Sequence, residues 1–327
     1  MDGYWKFLIK KAFITFLTIF AAVTVNFFIF RIMPGDPAKL LLNDPRLKKE
    51  NIELLRRQFG LDKPLWEQYF IYLKETFKGN MGISFVHNIP VSQIIAQKLP
   101  QTILLLSISI AISTVIGIAI GAICGWKRGS KLDAALLTFS LITYMVPTFW
   151  IGIVLLMVFS LWLGWFPVGG ITTIGGAGIP KWLDVLRHMF LPSLALFFWY
   201  MGEYVILMRG SMLDVMKEDY ILTARAKGLR DIKILKDHAV KNALLPVVTL
   251  IALNVGWMVA GVIEVEVVFS WPGMGKLIYD AVLKRDYPVL QGCFLIITVV
   301  VVLANLIADL VYGYIDPRIR RGEGWIG

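Results

Sequence analysis

The sequence predicts an all-α polytopic membrane protein with six transmembrane helices, and three observations predict it. Hydrophobic residues make up 57% of the 327-residue chain and charged residues only 17%, where an ordinary soluble domain carries about a quarter charged. The mean hydropathy is +0.69. Several apolar runs exceed the roughly 20 residues needed to cross a bilayer. The net charge of +10 clusters at the ends of those runs, where it controls topology. No basic stripe interleaved with aromatics offers a nucleic-acid surface.

The first span runs from about Phe13 to Phe30. Lys6, Lys10 and Lys11 precede it, but the run is long for a signal peptide. It ends in the bulky "NFFIFRIMPGDP" with no small-residue cleavage site, so it reads as retained. The loop from about 31 to 101 carries Ile52, Leu55 and Phe59 at helical spacing, then Leu65, Tyr69, Tyr72, Leu73 and Phe77, punctuated by Gly60 and Pro64. These read as two short amphipathic helices, either a platform for a partner or a lid on the spans. The second span, about Thr102 to Gly125, carries Gly117, Gly121 and Gly125 on one face, a spacing that admits another helix closely. The third covers about Ala134 to Leu163 with a kink expected at Pro147. The fourth covers about Phe190 to Met208, the fifth Ala243 to Phe269 and the sixth Val289 to Tyr312. Cys124 and Cys293 fall in apolar runs near opposite membrane faces and read as small buried residues. The chain thus divides into residues 1–30, an external loop at 31–101, and a five-span core at 102–327.

Lys and Arg in the short loops set the orientation. With the N-terminus inside, the inner segments hold Lys6, Lys10, Lys11, Lys127, Arg128, Lys131, a basic run from Arg209 to Lys241, and Arg318, Arg320 and Arg321. The two short outer loops hold only Lys181, Arg187, Lys276, Lys284 and Arg285. Both termini are therefore expected in the cytoplasm.

Catalysis would require a nucleophile with base and orienting group, or clustered metal ligands. His87, His188 and His238 show no such pairing, so no catalytic or metal residue is expected. "GMGK" at Gly273 to Lys276 resembles the end of a phosphate-binding loop, but Leu277 stands where Ser or Thr is needed. Four acids, Glu203, Glu264, Glu266 and Asp309, sit within or beside spans. Such acids either line an ion path or serve structure. Glu203 is the deepest, about 9 Å from the inner end at 1.5 Å per residue, and Arg209 is its nearest expected partner in sequence.

The inner segment at about 209–245 contains "DYILTARAKGLRDIKILKDHAVKNALLP". Leu213, Met216, Tyr220, Thr223/Ala224 and Lys227 recur at helical spacing. Gly228 is placed to end that helix with φ > 0, and Asp231 to cap the next, whose stripe is Ile232, Leu235, Ala239 and Ala243. Small residues with flanking Arg225 and Lys227 suit a helix docked in a partner's groove. An interfacial helix on anionic lipid fits the same composition, and both readings stay open on composition alone.

"DYILTARAKGL" with "HAVKNALLPVV" resembles the EAA signature of permease subunits of bacterial ABC importers, in the dipeptide/oligopeptide/nickel branch. "RIMPGDPA", "FGLDKPLWEQY", "GNMGIS", "LPQTILL", "VPTFWIGIVLLMVFSLWLGWFPVGG", "EVVFSWPGMGKLIYDAV" and "DPRIR" extend the resemblance, in order, along nearly the whole chain, and look like the first permease of such systems. The resemblance implies a type I ABC importer permease fold in a bacterial or archaeal inner membrane. It implies that Tyr220, Thr223, Ala224, Arg225, Ala226, Lys227 and Gly228 dock into an ATPase subunit. It implies a second similar permease, two ABC ATPases that bind ATP and Mg, and an extracytoplasmic solute-binding protein, with no cofactor on this chain itself. Peptide is the expected solute; related permeases also carry nickel or oligosaccharides. Glu203 and Glu264 depart from the family's expected character. A stand-alone proton-coupled transporter and an intramembrane enzyme are the competing readings.

Overall fold

The computed structural model describes residues 2–32, 63–176 and 178–315. The expected stripe at Ile52, Leu55 and Phe59 lies outside the described residues, and so does the side chain of Asp309. Among the described residues the regular secondary structure is helical, apart from one isolated bridge between Ile83 and Pro90. Five helices are long and apolar enough to cross a membrane, or six if one bent pair counts as a span. The chain forms two compact units, residues 1–100 with 277–327, and residues 101–276.

In the first unit, α1 (Asp2–Ile32) packs on the last described helix, α11 (Tyr287–Ile315). The expected second amphipathic helix is α2 (Leu65–Phe77), and it lies against α1. Phe27 of α1 meets the rings of Tyr69 and Tyr72, while Thr24 and Asn26 hydrogen-bond the two phenols. One face of α2 is therefore packed on a span. Leu65 and Phe77, expected in the apolar stripe, are exposed instead. A second knot centres on buried Asp286, whose carboxylate accepts from Ser84 Oγ at 2.5 Å and from the backbone N–H groups of Phe85 and Val86.

The second unit is organised around α6 (Lys181–Val215), its most extensively buried helix. Helix α3 (Val91–Trp126) meets α6 along the glycine stripe. A Cβ on Gly117 would stand 2.6 Å from Tyr204 Cβ, one on Gly121 2.7 Å from Met208 Cβ, and one on Gly125 would overlap Met212. The two helices therefore run parallel and in register, one turn for one turn. On another side, Gly202 admits Ser140 and Tyr144 of α4 (Lys131–Met145). Sequence spacing did not flag Gly202, because it stands alone.

The third span is not a kinked helix. Helix α4 stops at Met145, and α5 (Thr148–Leu155), extended by a π-helical turn over Leu156–Trp162, departs at 98°. Pro147 supplies no N–H and disfavours helix at Val146, which takes extended backbone. The loop that follows is tied to α6: Asp184 accepts from the Thr173 N–H and hydroxyl, and His188 bonds Gly169 O and Thr173. His188 was expected to lack an acid neighbour, yet Asp184 stands one turn away at 3.5 Å. The pair clamps the loop to α6.

The fifth span is also interrupted. Helix α9 (Lys241–Trp257) ends in a 3-10 turn at Met258–Ala260, and Gly261 (φ +73°) turns the chain before α10 (Ile263–Val268). Any Cβ at Gly261 would crowd the Gly275 backbone. Glu264 and Glu266, expected near the end of the fifth span, therefore lie beyond its break.

Candidate functional site

The segment with the docking signature folds as a hairpin. Helix α6 ends at Val215, a turn covers 216–218, and α7 (Asp219–Ala226) follows. Gly228 has φ +71° and nothing near a Cβ position. It follows Lys227 at the helix terminus and lets the chain reverse. The return arm begins with the short α8 (Asp231–Lys233), continues as a π-helical stretch (Ile234–Val240), and runs without a break into α9. Asp231 does not cap this arm: Arg230 holds the cap position and no side chain bonds there.

The inner and outer faces of α7 differ from the sequence expectation. Ile221 and Ala224 are buried in a cluster with Ile234, Ala239 and Ala243 of the return arm. Tyr220, Leu222, Thr223, Arg225, Ala226, Lys227 and Gly228 are exposed. Ala224, 5% exposed, is turned into this cluster and away from the outer face. Leu222, 57% exposed, joins the outer face and was missed. Ile232, expected in the second stripe, is also exposed, and Ile234 takes the buried place.

Arg209, the expected partner of Glu203, instead makes a two-pronged ion pair with Asp133 of α4, at 2.7 and 2.9 Å. Asp133 also accepts from the Gly129 N–H, and the pair fastens the end of α6 to the start of α4. Glu203 turns to α9, where the Asn254 amide donates to its carboxylate at 3.1 Å and to the Tyr204 hydroxyl at 3.1 Å. Asn254 is a lone polar residue inside "LIALNVGW", a signal that sequence reading passed over.

Glu266 is fully buried. Its carboxylate accepts from Thr102 Oγ1 at 2.7 Å and from the Lys276 N–H at 3.0 Å. Thr102 in turn accepts from the Met274 N–H, and the Trp271 indole donates to Gln101 O. A Cβ at Gly273 would overlap Glu266 and Thr102. Burial pushes the Glu266 carboxyl above the usual carboxylate range, and its hydrogen bonds only partly offset this. Through these bonds Glu266 ties "EVVFSWPGMGK" back on itself and onto Thr102. Glu264 is exposed and accepts from Thr148 Oγ1 at the start of α5. Among the described residues these groups are ion-paired or hydrogen-bonded across helices, and the outer face of α7 is left exposed.

A family model described as "Binding-protein-dependent transport system inner membrane component" matches residues 117–321, and its N-terminal companion matches residues 4–106. The chain is 37% identical over 315 residues to the oligopeptide transport system permease protein AppB of Bacillus subtilis, covering 96% of this chain and 99% of that one. It is 36% identical over 332 residues to the di/tripeptide transport system permease protein DppB of Pseudomonas aeruginosa, and 35% over 334 residues to the dipeptide permease DppB of Escherichia coli K12, with 96% of this chain and 98% of each relative covered. Among solved structures, an inward-facing MetNI methionine ABC transporter shares the fold, with a TM-score of 0.55 at 14% identity over 68% of this chain and 97% of that one.

Proposed function

The chain belongs to the family of binding-protein-dependent transport system inner membrane components, and from that premise we propose that it is one permease subunit of an ATP-driven peptide importer. Relatives of nearly full coverage are named for oligopeptides and dipeptides, which favours peptide over nickel or oligosaccharide. In this reading both termini and the α7 hairpin face the cytoplasm. A second, similar permease completes the path, two ATPase subunits bind ATP and Mg, and an external binding protein delivers the solute.

The observation that carries the proposal is the two-faced α7. Its outer face presents Tyr220, Leu222, Thr223, Arg225, Ala226 and Lys227, while Ile221 and Ala224 lock its inner face to the return arm. A partner that moves α7 must also move the arm, which runs directly into α9. At its other end α7 joins α6 through the turn at 216–218, so a stroke on α7 reaches both helices. Alternating access then needs no chemistry in this chain.

The test is gentle affinity purification of the tagged chain from native membranes, with mass spectrometry of its companions. The proposal expects a second permease and one or two nucleotide-binding subunits. Recovery of the chain alone, under conditions that hold known ABC complexes together, would refute the docking role.

A further inference from the structure

An acid within a membrane-spanning helix is costly unless it pairs or faces a cavity. Glu203 lies on α6 and is half-buried, and among the described residues its carboxylate has one hydrogen-bond partner, the Asn254 amide of α9. No Lys, Arg or His among the described residues pairs with it; Arg209 is committed to Asp133. Asn254 can only donate through its NH2, and it holds Glu203 and the Tyr204 hydroxyl together. One carboxylate oxygen is fixed and the other is left as an acceptor. Trp199 and Tyr200 stand one turn earlier on the same helix face. They meet edge to face at 4.9 Å, with Trp199 stacked on Tyr144 at 5.6 Å. An acceptor-only carboxylate beside fixed aromatic rings is suited to a cation, and above all to an ammonium group.

We propose that Glu203, oriented by Asn254, is a specificity-determining residue that binds an ammonium group of the solute during its passage. This rests on the importer reading. Every peptide with a free N-terminus carries an α-ammonium at neutral pH, and lysine adds a second; the two sources share one chemistry. The assigned role makes Glu203 the counterion of the solute, and Asn254 a positioning residue that hydrogen-bonds the acid and Tyr204.

The test uses the complete importer, with its ATPases and binding protein, in liposomes. ATP-dependent uptake of radiolabelled Ala-Ala-Ala and Ala-Lys-Ala is compared for wild type, Glu203→Gln and Glu203→Asp. Glutamine keeps the size and the oxygen that accepts from Asn254 but removes the charge. Binding of the α-ammonium predicts at least a tenfold loss of uptake of both peptides in Glu203→Gln. Binding of the side-chain ammonium predicts that only the lysine peptide falls, so that the ratio of the two uptakes changes. Glu203→Asp should restore part of either loss. A general packing defect would lower both peptides in Gln and Asp alike and would overturn the proposal. So would wild-type uptake of both peptides by Glu203→Gln, or failure of that variant to co-purify with the second permease, which would make the acid a subunit-pairing group. Wild-type importer that takes up neither peptide refutes the peptide reading itself, and the proposal falls with it.

Discussion

Gly121→Ala tests the architecture most directly, because the clash it creates can be read from the structure. The added Cβ would stand 2.7 Å from Met208 Cβ and 2.8 Å from the Val205 carbonyl oxygen. Neither neighbour is the free end of a flexible side chain, so relief requires α3 and α6 to separate. Overpacking of this kind costs about 1–3 kcal/mol, against a gain of about 0.8–1 kcal/mol from alanine's helix propensity. The net expectation is a loss of up to roughly 2 kcal/mol. Gly210→Ala is the matched control. It lies on α6 with nothing within 4 Å of its Cβ position, so only the propensity gain remains. Thermal unfolding of the purified protein in detergent should therefore shift down for Gly121→Ala and up or not at all for Gly210→Ala. Adding Gly117→Ala to Gly121→Ala should cost less than the sum, because one separation of the helices accommodates both methyls. If Gly121→Ala and Gly210→Ala moved the midpoint alike, the parallel, in-register contact between α3 and α6 would be wrong.

Leu222→Asp, on the exposed face of α7, should abolish ATP-driven uptake while membrane insertion, followed by immunoblot of washed membranes, is unchanged; normal uptake would contradict the docking face. For the Asp133–Arg209 pair, Asp133→Asn and Arg209→Gln should each destabilise by about 1.5–3 kcal/mol, the range for hydrogen bonds to charged groups. The double variant should cost less than the sum, and additive losses in thermal unfolding would show the pair to be uncoupled. Glu266→Gln replaces an acceptor oxygen with an amide NH2 facing donors and should cost about 1–3 kcal/mol. The pH profile separates this from simple size effects. Because burial raises the folded-state pKa of Glu266, its protonated form is the better tolerated, and its contribution is full below the unfolded value and is lost as pH rises through the folded one. Wild type should therefore lose stability over that interval of unfolding-midpoint measurements, and the Gln variant should lack that slope.

What the sequence made legible, and what it hid, follows from where helical phase is preserved. The contact of Gly117, Gly121 and Gly125 was readable because the three residues lie within one uninterrupted helix, where four-residue spacing necessarily returns to the same face. The hairpin was readable as an element, since Gly228 marks its turn. Its faces were not. The expected stripe of Leu213, Met216 and Tyr220 assumed one continuous phase from α6 onward. The turn at 216–218 resets that phase, rotating Tyr220 outward and bringing Ile221 and Ala224 inward. The same cause explains the other departures. Pro147 and Gly261 each end a helix inside an unbroken apolar run, and hydropathy registers the run but not the change of direction. The partners of the acids were hidden for a different reason. Glu203 meets Asn254, Arg209 meets Asp133, and Glu266 meets Thr102, at separations of 51, 76 and 164 residues. Each bond depends on a helix crossing that local spacing does not encode. The helix breaks and the acid contacts are nevertheless linked: the turn at Gly261 brings Gly275 and Glu266 together, so the interruption of the fifth span is what permits the buried acid to find its donors.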